Sequence, residues 1–406
     1  MKAQSGAGPR VLYLVYWGAG EPLGQALVLP SVRRLTQLGA KVTLVTFDKA
    51  EDLNQREHMA AIRRELETRG IRWVSLRYHK GPYAPRKLYD AVTAWAHSIA
   101  AQLTGRTDIV HARTFVGGLM GLVLSRLLRA KFVYHNEGFY PDEQVDGGVW
   151  APGSRRHRVA QRLEAQLYAR ADGVIALSHR ARATIEDLAP VRRKRTPVIV
   201  APSAVDLERF QSPRREGGTR PGGLRLVYTG SVGLRYRLDR AAQLAAVALQ
   251  ELGHVSLRVV SRADRSVVEG ILEASGLPRD SWSVDCVPHA VMPGELSRHD
   301  AGLFFLTEGL SEHASSPTKI GEYWACGLPV VTTPNVSDTD EIVRCEGVGV
   351  VVREHSEAGY GEAIRTLVKL LEDPELAARC RRAAETHYAL GPACERQVAL
   401  YRGLLA

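Results

Sequence analysis

Short runs of β-branched and aromatic residues recur along the whole chain, and stretches of helical spacing separate them. In the first half the runs are residues 11–17, 41–47, 71–78, 108–112, 131–135, 173–177 and 198–201, with helical patterns such as 87–103 and 156–170 in between. The runs are apolar throughout rather than alternating, which suits a strand covered on both faces. Strands and helices in such alternation predict a parallel sheet wrapped on both sides. Residues 212–223, SPRREGGTRPGG, cannot bury a core and read as a linker. Beyond them the rhythm restarts, with runs at 224–229, 256–261, 283–287, 301–306, 329–332 and 348–352.

Two doubly wound α/β domains in series are therefore expected, at residues 1–211 and 224–388. Sheets of this kind bind ligands beyond the carboxyl ends of their strands, which predicts a cleft between the two domains. No internal repeat or low-complexity tract disturbs this plan.

The balance of charge narrows the function classes. The net charge is +10, but residues 1–210 carry 32 Lys and Arg against 19 Asp and Glu, while the remainder carries 22 against 25. A basic first half suits an anionic partner. No helix-turn-helix, zinc-finger or RNA-binding signature accompanies the charge, so nucleic acid is not expected. An anionic membrane surface or a phosphate-bearing acceptor fits instead. No apolar run approaches the length of a membrane span, and residues 1–24 lack a signal-peptide pattern. A cytoplasmic protein, peripheral at the inner face of the membrane, is the expectation. The five cysteines form no Cys-x-x-Cys pair and no zinc spacing, and read as reduced thiols.

The densest motif is residues 315–331, SSPTKIGEYWACGLPVV. Pro317 suits the first turn of a helix and Ser315 or Ser316 its N-cap. The N–H groups of Thr318, Lys319 and Ile320 would then lie unpaired at the positive end of the helix, a place for phosphate. Lys319 adds a full charge there. Glu322 falls one turn along the same face, and Gly327 sits where a left-handed cap ends the helix.

This segment resembles the donor-binding motif of the retaining family-4 glycosyltransferases, in which a Glu is followed after seven residues by a second Glu and then by small-Gly-x-Pro-Val. The resemblance implies a GT-B fold, two Rossmann-like domains facing a central cleft. It also implies that Glu322 holds the donor's ribose and that Ser316 and Pro317, with the helix amides of Thr318, Lys319 and Ile320, surround its diphosphate. The position of the family's first Glu is occupied here by Ala314.

Four further segments fit such a site. After the run 224–229 come Gly230, Ser231, Arg235 and Arg237, glycine for close backbone approach and guanidinium forks for phosphate oxygens. Gly18 and Gly20 follow the first strand with spacing G-x-G-x-x-x-G, one residue longer than a dinucleotide fingerprint, and read either as a phosphate-facing loop or as a tight turn. Asp48 could pass for a ribose-binding acid, but that pairing is common by chance. His111 and Arg113 end the strand 108–112 on its ligand side, where the family carries His-x-His. Glu137, with Asp142 second, stands in a polar and aromatic loop after the strand 131–135 and is the candidate for an acceptor contact or base.

The resemblance thus implies transfer of a hexose from a UDP- or GDP-sugar to a glycan, lipid-linked or small-molecule acceptor. Asp338 and Asp340 have metal-motif spacing but precede an apolar helix and read as its N-cap and first-turn acids, so no metal and no other cofactor is expected. The alternatives are a nucleotide-sugar 2-epimerase-like enzyme of the same fold and a non-catalytic GT-B-like partner subunit, which Ala314 and Arg113 would favour.

Overall fold

A computed structural model of the chain describes residues 8–79, 84–102, 106–211, 223–233 and 235–406. It divides into two units. One gathers the described residues of Met1–Pro141, Arg155–Pro202 and Leu390–Ala406, and the other gathers those of Asp142–Ser154 and Ser203–Ala389. Most of the linker expected at 212–223 lies outside the described residues.

The first unit holds a seven-stranded sheet of β1 (Arg10–Val15), β2 (Lys41–Asp48), β3 (Arg72–Arg77), β4 (Ile109–Arg113), β5 (Lys131–His135), β6 (Gly173–Ala176) and β7 (Val198–Val200). Their order is β3-β2-β1-β4-β5-β6-β7, and every pairing is parallel. The order reverses between β1 and β4, so the loops after these two strands open the crevice where such a sheet takes its ligand. The loop after β4 begins with Thr114, whose φ of 73° is rare for a β-branched residue. Thr114 also caps the helix Phe115–Leu127 by accepting a hydrogen bond from Gly117 N at 3.2 Å.

The C-terminal helix Leu390–Leu405 belongs to this first unit. Arg396 Nε donates to Val200 O at 2.7 Å, and Leu400 lies so near Gly173 that a Cβ there would be 3.1 Å from its Cδ1.

The second unit holds a six-stranded sheet of β8 (Leu224–Thr229), β9 (Val255–Val260), β10 (Trp282–Asp285), β11 (Ala301–Phe304), β12 (Val330–Thr332) and β13 (Gly349–Val351). Its order is β10-β9-β8-β11-β12-β13, again all parallel. Here the reversal lies between β8 and β11, which brings the loop beginning at Gly230 beside the segment leading to Lys319. Trp324 and Tyr323 anchor the core beneath that segment, and Tyr323 Oη accepts a hydrogen bond from Thr229 N at 3.0 Å.

Two boundaries differ from the sequence expectation of a first domain ending at 211. Ser203–Gln211 clusters with the second unit, because Val205 N donates to Tyr388 O at 2.8 Å and Arg381 reaches the carbonyls of Phe210 and Leu207. The segment Asp142–Ser154 does so too, held by Ser311 N on Asp146 Oδ2 at 3.1 Å and by Arg235 on Glu143 at 3.1 Å. These ties are long-range pairs that local spacing does not reveal. Among the described residues no helix is long and apolar enough to cross a membrane.

Candidate functional site

In the second unit, β8 ends at Thr229 and the chain turns through Gly230 at φ 120°. Ser231 O accepts from Tyr228 Oη at 2.7 Å, and Gly233 and Tyr236 close a tight turn through reciprocal backbone hydrogen bonds of 3.1 and 2.9 Å. Lys319 lies across this turn. A Cβ on Gly230 would stand 1.9 Å from Lys319 Cε, so only glycine lets the lysine pass. The ammonium ends 4.9 Å above the Tyr236 ring and 5.7 Å from that of Phe304, and no carboxylate among the described residues pairs with it.

The helix that carries Lys319 spans Thr318–Ala325. Its N-cap is Pro317, with extended backbone and no side-chain cap, which corrects the assignment of that role to Ser315 or Ser316. Ser316 Oγ instead accepts from Ser203 N at 3.0 Å, and Ser315 Oγ donates to Glu312 O at 2.9 Å. Ile320 N is also spent, on Pro317 O at 3.2 Å, which leaves the amides of Thr318 and Lys319 without a partner among the described residues. At the far end Gly327 adopts the left-handed cap at φ 73° that its position predicts.

One turn after Lys319, the buried Glu322 meets His289 Nε2 at 2.9 Å. His289 follows β10, and its ring packs 5.5 Å from that of Phe210. Lys319 and Glu322 therefore share a helix face without pairing with each other.

The two arginines expected beside the phosphates are held by acids. Arg237 makes a two-pronged pair with Asp239 at 2.8 and 2.5 Å in the first turn of the helix Leu238–Leu252. Arg235 lies 3.1 Å from Glu143 and 3.4 Å from Glu312. Neither carboxylate is its sequence neighbour, so the engagement was hidden. Glu312 is 1% exposed, and its carboxyl oxygens find no well-aligned hydrogen-bond donor among the described residues. Burial, reinforced by the negative charges of Glu143 and Asp146, pushes its carboxyl up to about 7 against the pull of Arg235. Ala314, where the family carries its first Glu, is fully buried. Asp338 occupies the N-cap position of the helix Thr339–Glu346 and Asp340 its first turn, although no side-chain cap bond forms.

In the first unit the glycine loop after β1 is not an open phosphate cradle. Gly18 N donates to Glu21 Oε1 at 2.7 Å and Ala19 N to Asp48 Oδ1 at 2.6 Å, and Gly20 N also donates to Asp48. Asp48 is fully buried and accepts further from Thr46 and Ser75 at 2.8 and 2.6 Å. This carboxylate braces the loop. The tight-turn reading of Gly18 and Gly20 is the one the geometry favours.

The ends of β4 and β5 carry the polar cluster of this unit. Arg113 and His135 are register partners. Buried His111 reaches His135 Nδ1 through its Nε2 at 3.0 Å, and its Nδ1 reaches Tyr401 Oη at 2.5 Å. Arg113 Nε binds Glu137, and its Nη1 donates to Tyr13 Oη at 3.3 Å. His135 Nε2 stands 3.5 Å from Glu137 Oε1, too far for a hydrogen bond, and has no other partner among the described residues. Burial, and then the charge on Arg113, push both imidazoles well below their ordinary range, so both are neutral. The sequence singled out His111, Arg113 and Glu137, which the structure brings together. His135 was passed over in favour of the charged Glu137. Its place as the last residue of a buried strand at the ligand end of the sheet was the signal.

The sequence model of the family described as Glycosyltransferase Family 4 matches residues 28–209, and that of Glycosyl transferases group 1 matches residues 224–370. The chain is a glycosyltransferase.

Solved structures match it over nearly their whole length and give it the GT-B fold. Sucrose-phosphate synthase from Thermosynechococcus elongatus is similar with a TM-score of 0.67 at 18% identity, covering 98% of this chain and 99% of that one. HepE from Anabaena in complex with UDP-glucose gives 0.67 at 16% identity, covering 96% and 98%. MnaA from S. aureus with UDP gives 0.60 at 14% identity, covering 98% and 97%. No curated protein matches the sequence. Among the described residues, the Lys319 ammonium has no carboxylate partner and His135 Nε2 no hydrogen-bond partner.

Proposed function

We propose that this glycosyltransferase moves a hexose from a nucleoside diphosphate sugar to a glycan, lipid-linked or small-molecule acceptor, with retention of configuration and without a metal ion. The observation that carries the reading is Lys319, an ammonium without a carboxylate partner, laid across a glycine turn at the head of a helix. When the bond from C1 to the diphosphate breaks, negative charge grows on the departing phosphate. Lys319, the amides of Thr318 and Lys319 and the close backbone of Gly230 and Ser231 supply positive potential there, the work a divalent ion does elsewhere. Arg235 and Arg237 contribute only after exchanging a carboxylate for phosphate.

Glu322, oriented by His289, takes the ribose hydroxyls. His135 meets the sugar through Nε2. Arg113 holds the Glu137 carboxylate as an ion pair, which makes it a poor free nucleophile and favours attack by the acceptor on the face the diphosphate leaves. The acceptor proton then passes to the departing phosphate oxygen. UDP is the first nucleotide to test, since the similar HepE and MnaA are known with UDP. The decisive experiment is a thermal-shift series with UDP, GDP and their sugars on the wild type and Lys319→Ala, since binding to the folded state raises its stability. Stabilisation of the wild type alone supports the site; equal stabilisation of both proteins removes it.

We further propose a peripheral position at the inner, cytoplasmic face of the membrane, through the first unit. Its helix Arg155–Arg170 turns Arg155, Arg158 and Arg162 outward beside exposed Val159 and Leu163, and packs against the helix Phe115–Leu127, which exposes Arg126 and Leu127. Arginines interleaved with apolar side chains suit anionic headgroups over an acyl boundary.

A further inference from the structure

The C-terminal helix reaches the candidate reaction site through a chain of buried hydrogen bonds. Tyr401, fully buried on the helix Leu390–Leu405, contacts His111 Nδ1, and His111 Nε2 contacts His135 Nδ1. A neutral imidazole has one donor nitrogen and one acceptor nitrogen, so the proton of each ring follows from its neighbour. Only two arrangements are self-consistent. In the first, Tyr401 O–H donates to His111 Nδ1, His111 Nε2–H donates to His135 Nδ1, and His135 carries its remaining proton on Nε2. In the second every donor is reversed, Tyr401 O–H has no acceptor among the described residues, and His135 presents a lone pair to Glu137. Both ends of the chain select the first: an unmatched buried hydroxyl is costly at one end, and a lone pair facing a carboxylate oxygen at 3.5 Å is repulsive at the other.

We propose that Tyr401 is a positioning residue, which through His111 fixes His135 as the tautomer with its proton on Nε2 and so presents an N–H donor to an oxygen of the sugar substrate. This rests on His135 meeting that substrate, as proposed above. No described residue takes the His135 N–H, because Glu137 is already bound by Arg113 and lies beyond hydrogen-bond reach. Tyr401 itself touches no substrate in this account. Its hydroxyl acts by removing one of two tautomers, and its ring keeps the His111 ring edge-on at 5.9 Å.

The test uses the full-length protein, with nitrogen-15-labelled histidine for NMR. In the wild type both His111 and His135 should be protonated on Nε2; the opposite tautomer at His135 overturns the proposal with no variant needed. Tyr401→Phe keeps the ring and removes the donor, and should let His111 and His135 exchange between tautomers. The expected kinetic result is a kcat lower by about 10- to 100-fold with donor KM changed by less than about threefold, the signature of an interaction made mainly in the transition state. A purely structural role would lower the melting temperature without moving the tautomer signals.

His135→Ala, assayed in parallel, separates the two readings. Full activity there sinks the assignment of His135 itself. Loss of activity there, with wild-type kcat and an unchanged His135 tautomer in Tyr401→Phe, sinks the relay alone.

Discussion

Lys319 and Gly230 occupy the same space to within a methyl group: a Cβ on the glycine would lie 1.9 Å from Lys319 Cε and 2.6 Å from its Nζ. The backbone there, at φ 120°, is also one that only glycine adopts without strain. Gly230→Ala is therefore expected to act as a lysine variant. It should displace the ammonium, cost about 1–2 kcal/mol of stability, and reduce turnover by roughly a hundredfold or more, the usual cost of losing one charge-stabilising donor. Steady-state kinetics and nucleotide titration check this. Unaltered affinity for nucleoside diphosphate would show that Lys319 is placed there for packing.

Lys319→Ala and Glu322→Ala should separate in their kinetics. The lysine faces charge that grows during the reaction, so its loss should lower kcat. In the proposed site Glu322, oriented by His289, holds a part of the donor that does not react, so loss of either should raise donor KM and leave kcat nearly unchanged. Because Glu322 and His289 lie 2.9 Å apart, the double variant should cost less than the sum of the singles, by about 0.5–3 kcal/mol. Strict additivity would mean the two act on different groups. Transfer that persists in a chelator tests the metal-free mechanism in the same assay, and loss of transfer there refutes it.

The sheets were legible because burial on both faces writes itself as continuous apolar runs, and each expected strand has a counterpart within a few residues. The end of the Lys319 helix was legible because Gly327 acts through local geometry, while its start was not, since Pro317 stands at the N-cap in place of a serine. What local spacing could not show was which acids meet which cations. Arg235 looked like a phosphate ligand until Glu143 and Glu312 arrived from distant segments, and the loop of Gly18 and Gly20 looked open until Glu21 took the Gly18 amide and Asp48, from β2, those of Ala19 and Gly20. His135 was missed for the opposite reason. Its neighbour Glu137 carries charge and drew the assignment, while the candidacy of His135 rests on its contact with His111 and on an Nε2 without a partner among the described residues.

Glu312 gives a prediction about pH. Its carboxyl is pushed from an ordinary value of 4.5 to about 7 when folded, chiefly by burial. Below about pH 4.5 it is neutral in both the folded and unfolded chain. As pH rises from there to about 7, the unfolded chain releases a proton that the folded chain keeps, so stability falls through this window, by at most about 3 kcal/mol. Glu312→Gln cannot titrate and should be more stable than wild type at pH 8, with the difference shrinking to little at pH 5. Urea unfolding of the two proteins at both pH values measures it, and a pH-independent difference would mean that Glu312 stays ionised beside Arg235.

The basic helix Arg155–Arg170 makes the membrane proposal testable without touching the reaction. Each arginine near an anionic surface contributes about 1 kcal/mol, and the attraction fades within a Debye length. Arg158→Glu with Arg162→Glu should thus weaken binding to phosphatidylserine-containing vesicles by more than about tenfold, while binding to neutral vesicles stays weak in both proteins. Leu163→Ser on the same exposed face should reduce the part of binding that survives 0.5 M salt, where the Debye length shrinks to about 4 Å, because that remainder is apolar insertion. None of these side chains lies near Lys319 in sequence or in the second unit, so nucleotide binding should be unchanged in each variant. Vesicle sedimentation insensitive to both charge reversal and salt would remove the membrane from the account, and competition by an anionic polysaccharide in place of lipid would reassign the arginine face to the acceptor.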